Sequence, residues 1–399
     1  MQIDDILLLR MNRQYLFAPA EDELTVLCSL CGLQAQFYGN CLHALRLRCG
    51  KAPDEDILRT SAVKTWTLRG TLHLIALDDL PLFLSLRKIF DIRPGSRAKE
   101  VPCRNSFRRK RYVTRTKTRM VSGDREELRL ICREHGMTPD EEQNAFDPWG
   151  GLLRALCESG TLGHTAQQKK AFRPCPPFAP MTKADALRAL MRRYLTHYGP
   201  VTVQDAAYFF GLPQRELLPV IESLSPQEFI CEGKIFYSLC DINIIGDLSC
   251  CRFLAGFDPL MLGYEKRSNP FLPEEALRGV FTLAGIVRPS ILLDGKIVGV
   301  WKRRGKAVEL TWLIPLQSLQ CKRIEEEALR TFGDEVSKLV HGRMRPKLDQ
   351  IVASIEGITT PLQRKLLAQI IDHIDDLNRR IGELDKLVQE YMAEYEAAI

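Results

Sequence analysis

Apolar residues recur at helical spacing near the start of the chain. Leu24, Leu27, Leu30 and Cys31 form one set, and Leu42, Leu45 and Cys49 continue it past Gly39-Asn40, so residues 24–48 read as helical with a break at that pair. Asp54 reads as the cap of a short helix through Leu58. The pattern then changes. Thr65 to Ile75 is rich in β-branched and aromatic residues around Gly70, which predicts a hairpin or bent strand pair. The same grammar returns twice. Residues 149–158 predict a helix, followed by a wing over 159–173. Between 183 and 240 three helices are expected, 184–198, 203–210 after the cap Thr202, and one opened by Pro213 through Ser223, followed by a hairpin around Glu232-Gly233-Lys234. Helices closed by a short hairpin make a winged helix, and a short turn between the last two helices is the helix-turn-helix arrangement. Three such units are expected. Pro174, Pro176, Pro177 and Pro180 mark a linker, and residues 281–301 read as strands paired about Asp294-Gly295.

The end of the chain follows another rule. Leu367, Ile370, Ile374, Leu377, Ile381, Leu384, Val388, Tyr391 and Tyr395 alternate spacings of three and four, the seam of a coiled coil. A helix with such a stripe cannot bury it alone, so self-association through this tail is expected. The fold class is therefore mainly α with small β-hairpins (α+β): tandem winged helices plus a C-terminal coiled-coil helix. The expected units are 1–95, 96–180, 181–245, a β-rich 246–332, and the tail 333–399.

Composition narrows the class. Of 399 residues 45% are hydrophobic and 27% charged, the balance of a globular protein, and no run approaches the roughly 20 apolar residues of a membrane span. With no signal pattern at the start, a cytoplasmic location without membrane contact is expected. Thirteen scattered cysteines suggest no disulfide framework. Cys28 and Cys31 have C-x-x-C spacing but no second ligand pair nearby, so they read as buried helix residues and no metal site is expected. The net charge of +6 is uneven: residues 1–322 carry +10 and residues 323–399 carry −4. A basic body implies a polyanionic partner.

Residues 97–119 concentrate that charge, with ten Lys and Arg, among them Arg108, Arg109, Lys110 and Arg111, against the single acid Glu100. Clustered cations release counterions on meeting phosphates, which suits a nucleic-acid backbone; the bland alternative is a solvated loop. Lys302, Arg303 and Arg304 allow the same two readings. Arg69 and His73 flank Gly70 on the first wing, where DNA contact and a purely structural role are both open.

Four segments carry a resemblance: Gly32-Leu33-Gln34-Ala35-Gln36, Thr65 to His73, Ala255 to Tyr264, and Val287 to Trp301, which holds Arg288. In this order, over about residues 5–332, the chain resembles the AlkZ-like DNA glycosylases, a winged-helix DNA-binding family. The resemblance implies tandem winged helices cradling duplex DNA. It implies monofunctional hydrolysis of the N-glycosidic bond of alkylated (N3 or N7) purines, cross-linked bases included, without metal or cofactor. The family's Gln-x-Gln maps onto Gln34 and Gln36, the implied catalytic pair; their spacing alone reads as polar helix surface. Residues 334–395 resemble, less specifically, the coiled-coil segment of DEDD-type insertion-sequence transposases, with no counterpart of the nuclease domain. The competing readings are a non-catalytic winged-helix regulator and an interaction protein defined by its coiled coil. Three dissimilar units in one chain suit a lesion cradle better than a symmetric dimeric regulator.

Overall fold

Side-chain caps fix where the helices start. Asp22 accepts from the Thr25 amide at 2.7 Å, and Asp54 accepts from the amides of Asp56 and Ile57 at 2.9 and 3.1 Å. Thr202 and Asp205 bond reciprocally as a capping box, and Gly211 closes that helix in the left-handed region. The computed structural model describes residues 2–90, 123–134, 136–146, 151–179, 181–240, 247–305, 307–333 and 338–341, plus positions 373, 376, 380, 383 and 384. The chain divides into two units, 1–93 with 98–342, and 94–97 with 343–399. In the second unit the five described positions are helical, and Arg380 pairs with Asp376 at 2.9 Å. The tail's heptad seam, its self-association and the basic run with Arg108, Arg109, Lys110 and Arg111 otherwise lie outside the described residues.

The first unit begins with α1 (Ile3–Arg13), α2 (Glu23–Ser29), β1 (Leu33–Gln34), α3 (Tyr38–Cys49), α4 (Glu55–Ser61) and β2 (Ala62–Trp66). A 3-10 turn at 68–70 leads to β3 (Leu72–Ala76) and α5 (Leu80–Phe90). After the gap come β4 (Gly123–Asp124), α6 (Arg125–Glu134), α7 (Pro139–Ala145), α8 (Gly151–Glu158), β5 (Leu162–His164) and β6 (Ala171–Pro174). The third stretch is α9 (Lys183–His197), α10 (Val203–Phe210), α11 (Gln214–Glu222), β7 (Gln227–Cys231) and β8 (Lys234–Ser238). The last is β9 (Cys251–Phe253), α12 (Pro259–Leu262), α13 (Glu274–Val280), β10 (Ser290–Leu293), β11 (Lys296–Arg304), β12 (Ala307–Trp312), α14 (Ser318–Phe332) and β13 (Lys338–His341).

This is a mixed α+β fold, and its hairpins do not stand alone as expected. The first two join in one antiparallel six-stranded sheet, ordered β1-β3-β2-β5-β6-β4. The joint is the β2–β5 pair, Lys64 opposite His164, which crosses the boundary expected at residue 95. Gly163 permits the approach, since a Cβ there would lie 2.1 Å from a methyl of Val63. A five-stranded sheet, β13-β12-β11-β10-β9, forms the C-terminal part, and β7–β8 is a separate hairpin. The turn Asp294-Gly295, with φ of 50° and 76°, fits the expected two-residue hairpin. Residues 281–289, expected as strand, contribute only an isolated bridge between Phe281 and Val287, because the Thr282–Ile286 hydrogen bonds turn the chain there.

One further expectation is corrected. Residues 24–48 are not a single broken helix. The chain leaves α2 at Leu30, and Cys31 and Gly32 take φ of 55° and 78°. A Cβ on Gly32 would lie 2.6 Å from Ile75 and 2.9 Å from the Leu74 carbonyl, so only glycine lets β1 settle against β3. Gly39-Asn40, the expected break, lies within α3. Cys28 is helical as expected, but Cys31 is in this turn; burial pushes their thiols up to about 11 and about 12.

The largest apolar cluster runs from Leu7 to Val300 and draws on the expected first, third and fourth units together. Residues 128–172 hold a separate cluster, built around Leu128, Phe146, Leu156 and Phe172. Polar bonds cross the large core. Arg48 of α3 donates to both carboxylate oxygens of Asp258 at 3.0 and 2.8 Å, and both side chains are fully buried. Arg10 of α1 pairs with Asp205 of α10 at 3.3 Å and lies 3.8 Å from the centroid of the Tyr264 ring. The Tyr264 hydroxyl accepts from Gln14 at 2.7 Å and donates to the Tyr198 carbonyl at 3.0 Å.

Removing one partner of a buried ion pair strands the other charge, which typically costs about 3–5 kcal/mol. Arg48→Ala and Asp258→Ala should each lower unfolding stability by that order in urea titration. Arg48→Met with Asp258→Leu should lose less than the sum of the single losses. Single variants within about 1 kcal/mol of the parent would show that the pair is not structural.

Candidate nucleic-acid interface and hydrolytic site

Gln34 ends β1 directly opposite His73 of β3, so both side chains emerge on one face of the six-stranded sheet. The Ala35 amide continues the ladder to the Leu72 carbonyl at 2.7 Å. The burial alternates along this segment: Gln34 is half-buried, Ala35 buried and Gln36 exposed. Gln34 closes β1 and Gln36 lies in the bend that leads into α3, so neither sits on the helix read from the spacing. Neither side-chain amide bonds another described residue.

Gln34 lines a cleft of about 280 Å³. Its first wall is Gln34, Arg69 and Thr71; the second includes Tyr208, Phe257, Lys266, Arg267, Arg278, Phe281 and Val287. Four of the described lining residues are cations and none is a carboxylate. Among the described residues no acid pairs with Arg69, Lys266, Arg267 or Arg278. The nearest acid in sequence, Glu265, is engaged by the backbone amides of Arg267 and Ser268, each at 2.9 Å.

The candidates from the sequence divide. Arg69 sits at the tight turn between β2 and β3 with φ of 56° and reaches the cleft; it donates to the Phe209 carbonyl at 2.6 Å, and its guanidinium lies 5.5 Å from the Phe209 ring centroid. Burial lowers its pKa from the ordinary arginine value. His73 is buried, and its Nδ1 meets the Thr71 carbonyl at 3.1 Å, which requires that nitrogen to carry the proton. Burial, and then the charge of Arg69, lower its pKa to about 3, so it brings no positive charge to a phosphate. Arg288 is exposed just past Val287 and donates to the Gly279 carbonyl at 3.4 Å. Lys302, Arg303 and Arg304 are exposed at the end of β11, outside the lining of the cleft, with Arg304 paired to Glu309 at 3.1 Å.

Three cations escaped the sequence reading. Lys266-Arg267 follow the Ala255–Tyr264 segment after the single residue Glu265, and this proximity was the available signal. Arg278 is a single charge in a short helix, and nothing in the sequence sets it apart. Among the described residues no three His, Cys, Asp or Glu side chains cluster as a metal site, and no helix is long and apolar enough to cross a membrane.

Comparison with known proteins shows the family and the fold. The family model described as DNA glycosylase AlkZ-like matches residues 27–339. An interstrand DNA cross-link repair glycosylase of Streptomyces sahachiroi is 28% identical over 351 residues, covering 80% of this chain and 92% of the relative. The solved structure of Streptomyces sahachiroi DNA glycosylase AlkZ superposes with a TM-score of 0.68 at 24% identity, covering 86% of this chain and 99% of that one, a likeness of fold.

His73 and His164 are both held neutral by burial, each with its pKa lowered to about 3. Between about pH 3 and 6.5 the unfolded chain therefore binds protons that the folded chain refuses. Stability should be complete above about pH 6.5 and fall by on the order of 1 kcal/mol per pH unit for each histidine as the pH drops. Urea titrations at pH 7.5, 6 and 5 measure the slope. His73→Gln and His164→Gln should each flatten it, and an unchanged slope in both variants would contradict the buried neutral state.

Proposed function

We propose, from the premise that this chain belongs to the AlkZ-like family of DNA glycosylases, that it hydrolyses the N-glycosidic bond of N3- or N7-alkylated purines in duplex DNA, cross-linked adducts included. Gln34 and Gln36 orient the water. The observation that carries this reading is a Gln34 amide with no partner among the described residues, in a cleft whose described lining holds four cations and no carboxylate. Arg69, Lys266, Arg267 and Arg278 bind the phosphates flanking the lesion. The exposed cations Arg288, Lys302, Arg303 and Arg304 and the run with Arg108, Arg109, Lys110 and Arg111 extend that contact along the duplex. The successive helix–hairpin stretches are read as winged helices, with α9, α10, α11 and the β7–β8 hairpin the clearest example.

The chemistry balances without a strong acid or base. A purine alkylated at N7 or N3 bears a positive charge, and it leaves with the electron pair of its glycosidic bond as a neutral base. The anomeric carbon becomes oxocarbenium-like. An amide carbonyl accepts a hydrogen bond from water and aims the oxygen's free lone pair at that carbon. Water adds, its proton passes to solvent, and an abasic sugar remains. His73 cannot serve as the base, since its pKa near 3 leaves it a very weak proton acceptor.

Loss of one positioned catalytic contact commonly costs on the order of 10²-fold in rate. Gln34→Ala and Gln36→Ala should each slow single-turnover release of N7-methylguanine to that extent, with duplex affinity nearly unchanged. Lys266→Ser with Arg267→Ser should instead weaken binding and reduce the slope of log affinity against log salt. Parent-like release rates in both glutamine variants would remove them from the chemistry.

The heptad stripe from Leu367 to Tyr395 supports a second, separate proposal: residues 363–396 pair with a second copy of the chain. Light scattering on the full chain and on a truncation after Gly342, which keeps β13 in its sheet, should give a dimer and a monomer respectively. A monomeric full chain would refute the pairing.

A further inference from the structure

Phe37 is the only exposed Phe, Tyr or Trp among the described residues. It follows Gln36 directly and stands at the N-cap of α3, with half of its surface in solvent. Its position is fixed. The ring stacks on Phe257 with centroids 5.9 Å apart and planes inclined by 22°. Phe257 is itself buried, lines the cleft with Gln34, and holds the unusual φ of 58°. The exposed half of the ring gains nothing from burial, and helix capping favours a short polar side chain at that position. Its stacking on Phe257 leaves an aromatic surface beside a ring that lines the cationic cleft.

We propose that Phe37 is a stacking platform for a nucleobase at the lesion. This rests on the reading of the cleft as the glycosylase site. Every base has a π-face, so stacking is sequence-tolerant, and a base step loosened by alkylation offers a face that intact duplex keeps covered. The flanking cations hold the phosphates, and Phe37 then selects for a helix that can be unstacked beside Gln34 and Gln36. Its contribution therefore falls on damaged rather than intact DNA.

The test uses the full chain and a duplex carrying N7-methylguanine beside 2-aminopurine, whose emission rises when it unstacks and is quenched against an aromatic ring. Phe37→Ala and Phe37→Leu should weaken binding to the damaged duplex by on the order of tenfold and leave binding to intact duplex unchanged. Their complexes should fluoresce more brightly than the parent's. Phe37→Trp should restore both affinity and quenching, which a merely apolar or structural role would not require, and all four proteins should melt alike. Equal affinity and equal emission in the parent and Phe37→Leu would overturn the proposal. Base release by the parent is scored separately. If the parent releases no base but the ring-dependent quenching persists, the hydrolytic reading fails and the stacking platform stands.

Discussion

A single buried ion pair, Arg48 with Asp258, holds together the parts of the molecule that face the cleft. Both side chains are cut off from solvent and joined by two hydrogen bonds, at 3.0 and 2.8 Å. Such a pair gives little net stability relative to apolar residues of the same volume, but it is unforgiving of a wrong partner or a shifted register. Asp258 also caps α12 by accepting from the Leu260 amide at 2.9 Å. The carboxylate thus ties the last turn of α3 to the start of a short helix about two hundred residues later in the chain. Close by, Arg10, Asp205, Gln14 and Tyr264 repeat the arrangement, with Arg10 stacked on the Tyr264 ring.

The cleft inherits its geometry from these ties. Phe257 adjoins Asp258 and lines the cleft, and Lys266-Arg267 follow Tyr264 by two and three residues. On the other wall, Gln34 is set by the β1–β3 pairing, and Arg69 by the tight turn that closes β2 onto β3. One wall comes from residues 34–71 and the other from residues 208–287, so neither forms a site alone. Polar groups paired across a core in this way favour one arrangement, whereas apolar contacts tolerate several.

What was legible in the sequence follows from the range of each signal. Caps and turns act within four residues, and the bounds read from Asp54, Thr202, Gly211 and Asp294-Gly295 agree with the structure. The 24–48 stretch misled because Leu27, Leu30, Cys31 and Leu33 are all buried, so helical spacing and a buried turn into a strand give the same apolar pattern. Merging of two hairpins into one sheet depends on the Val63–Gly163 approach, a contact with no local signature. Gln34 and Gln36 were named through the family resemblance and Arg69 through the turn around Gly70; of these, Gln34 and Arg69 line the cleft. His73 was named without its burial, and Lys266, Arg267 and Arg278 became visible only when the second wall was in place. Phe37 passed unnoticed because a lone phenylalanine in sequence reads as core.

The charge of the cleft limits the reactions it can favour. Among its lining residues are four cations and no acid, and the titratable group opposite Gln34 is a histidine held near pKa 3. Nothing in that set is basic enough to take a proton from water at neutral pH, so an attack that needs strong nucleophile activation is excluded for these side chains acting alone. A neutral amide can only orient the water. The difficulty must then be overcome in the leaving group, which has to depart without first being protonated. An N-alkylated purine meets this requirement, because its positive charge disappears as the bond breaks; an unmodified purine does not, since it would leave as an anion. Discrimination between damaged and intact bases under the proposed reading thus arises less from a tight base pocket than from chemistry too mild to act on anything but a cationic leaving group. An open cleft with room at its mouth is compatible with that division of labour, because selectivity resides in the bond being broken.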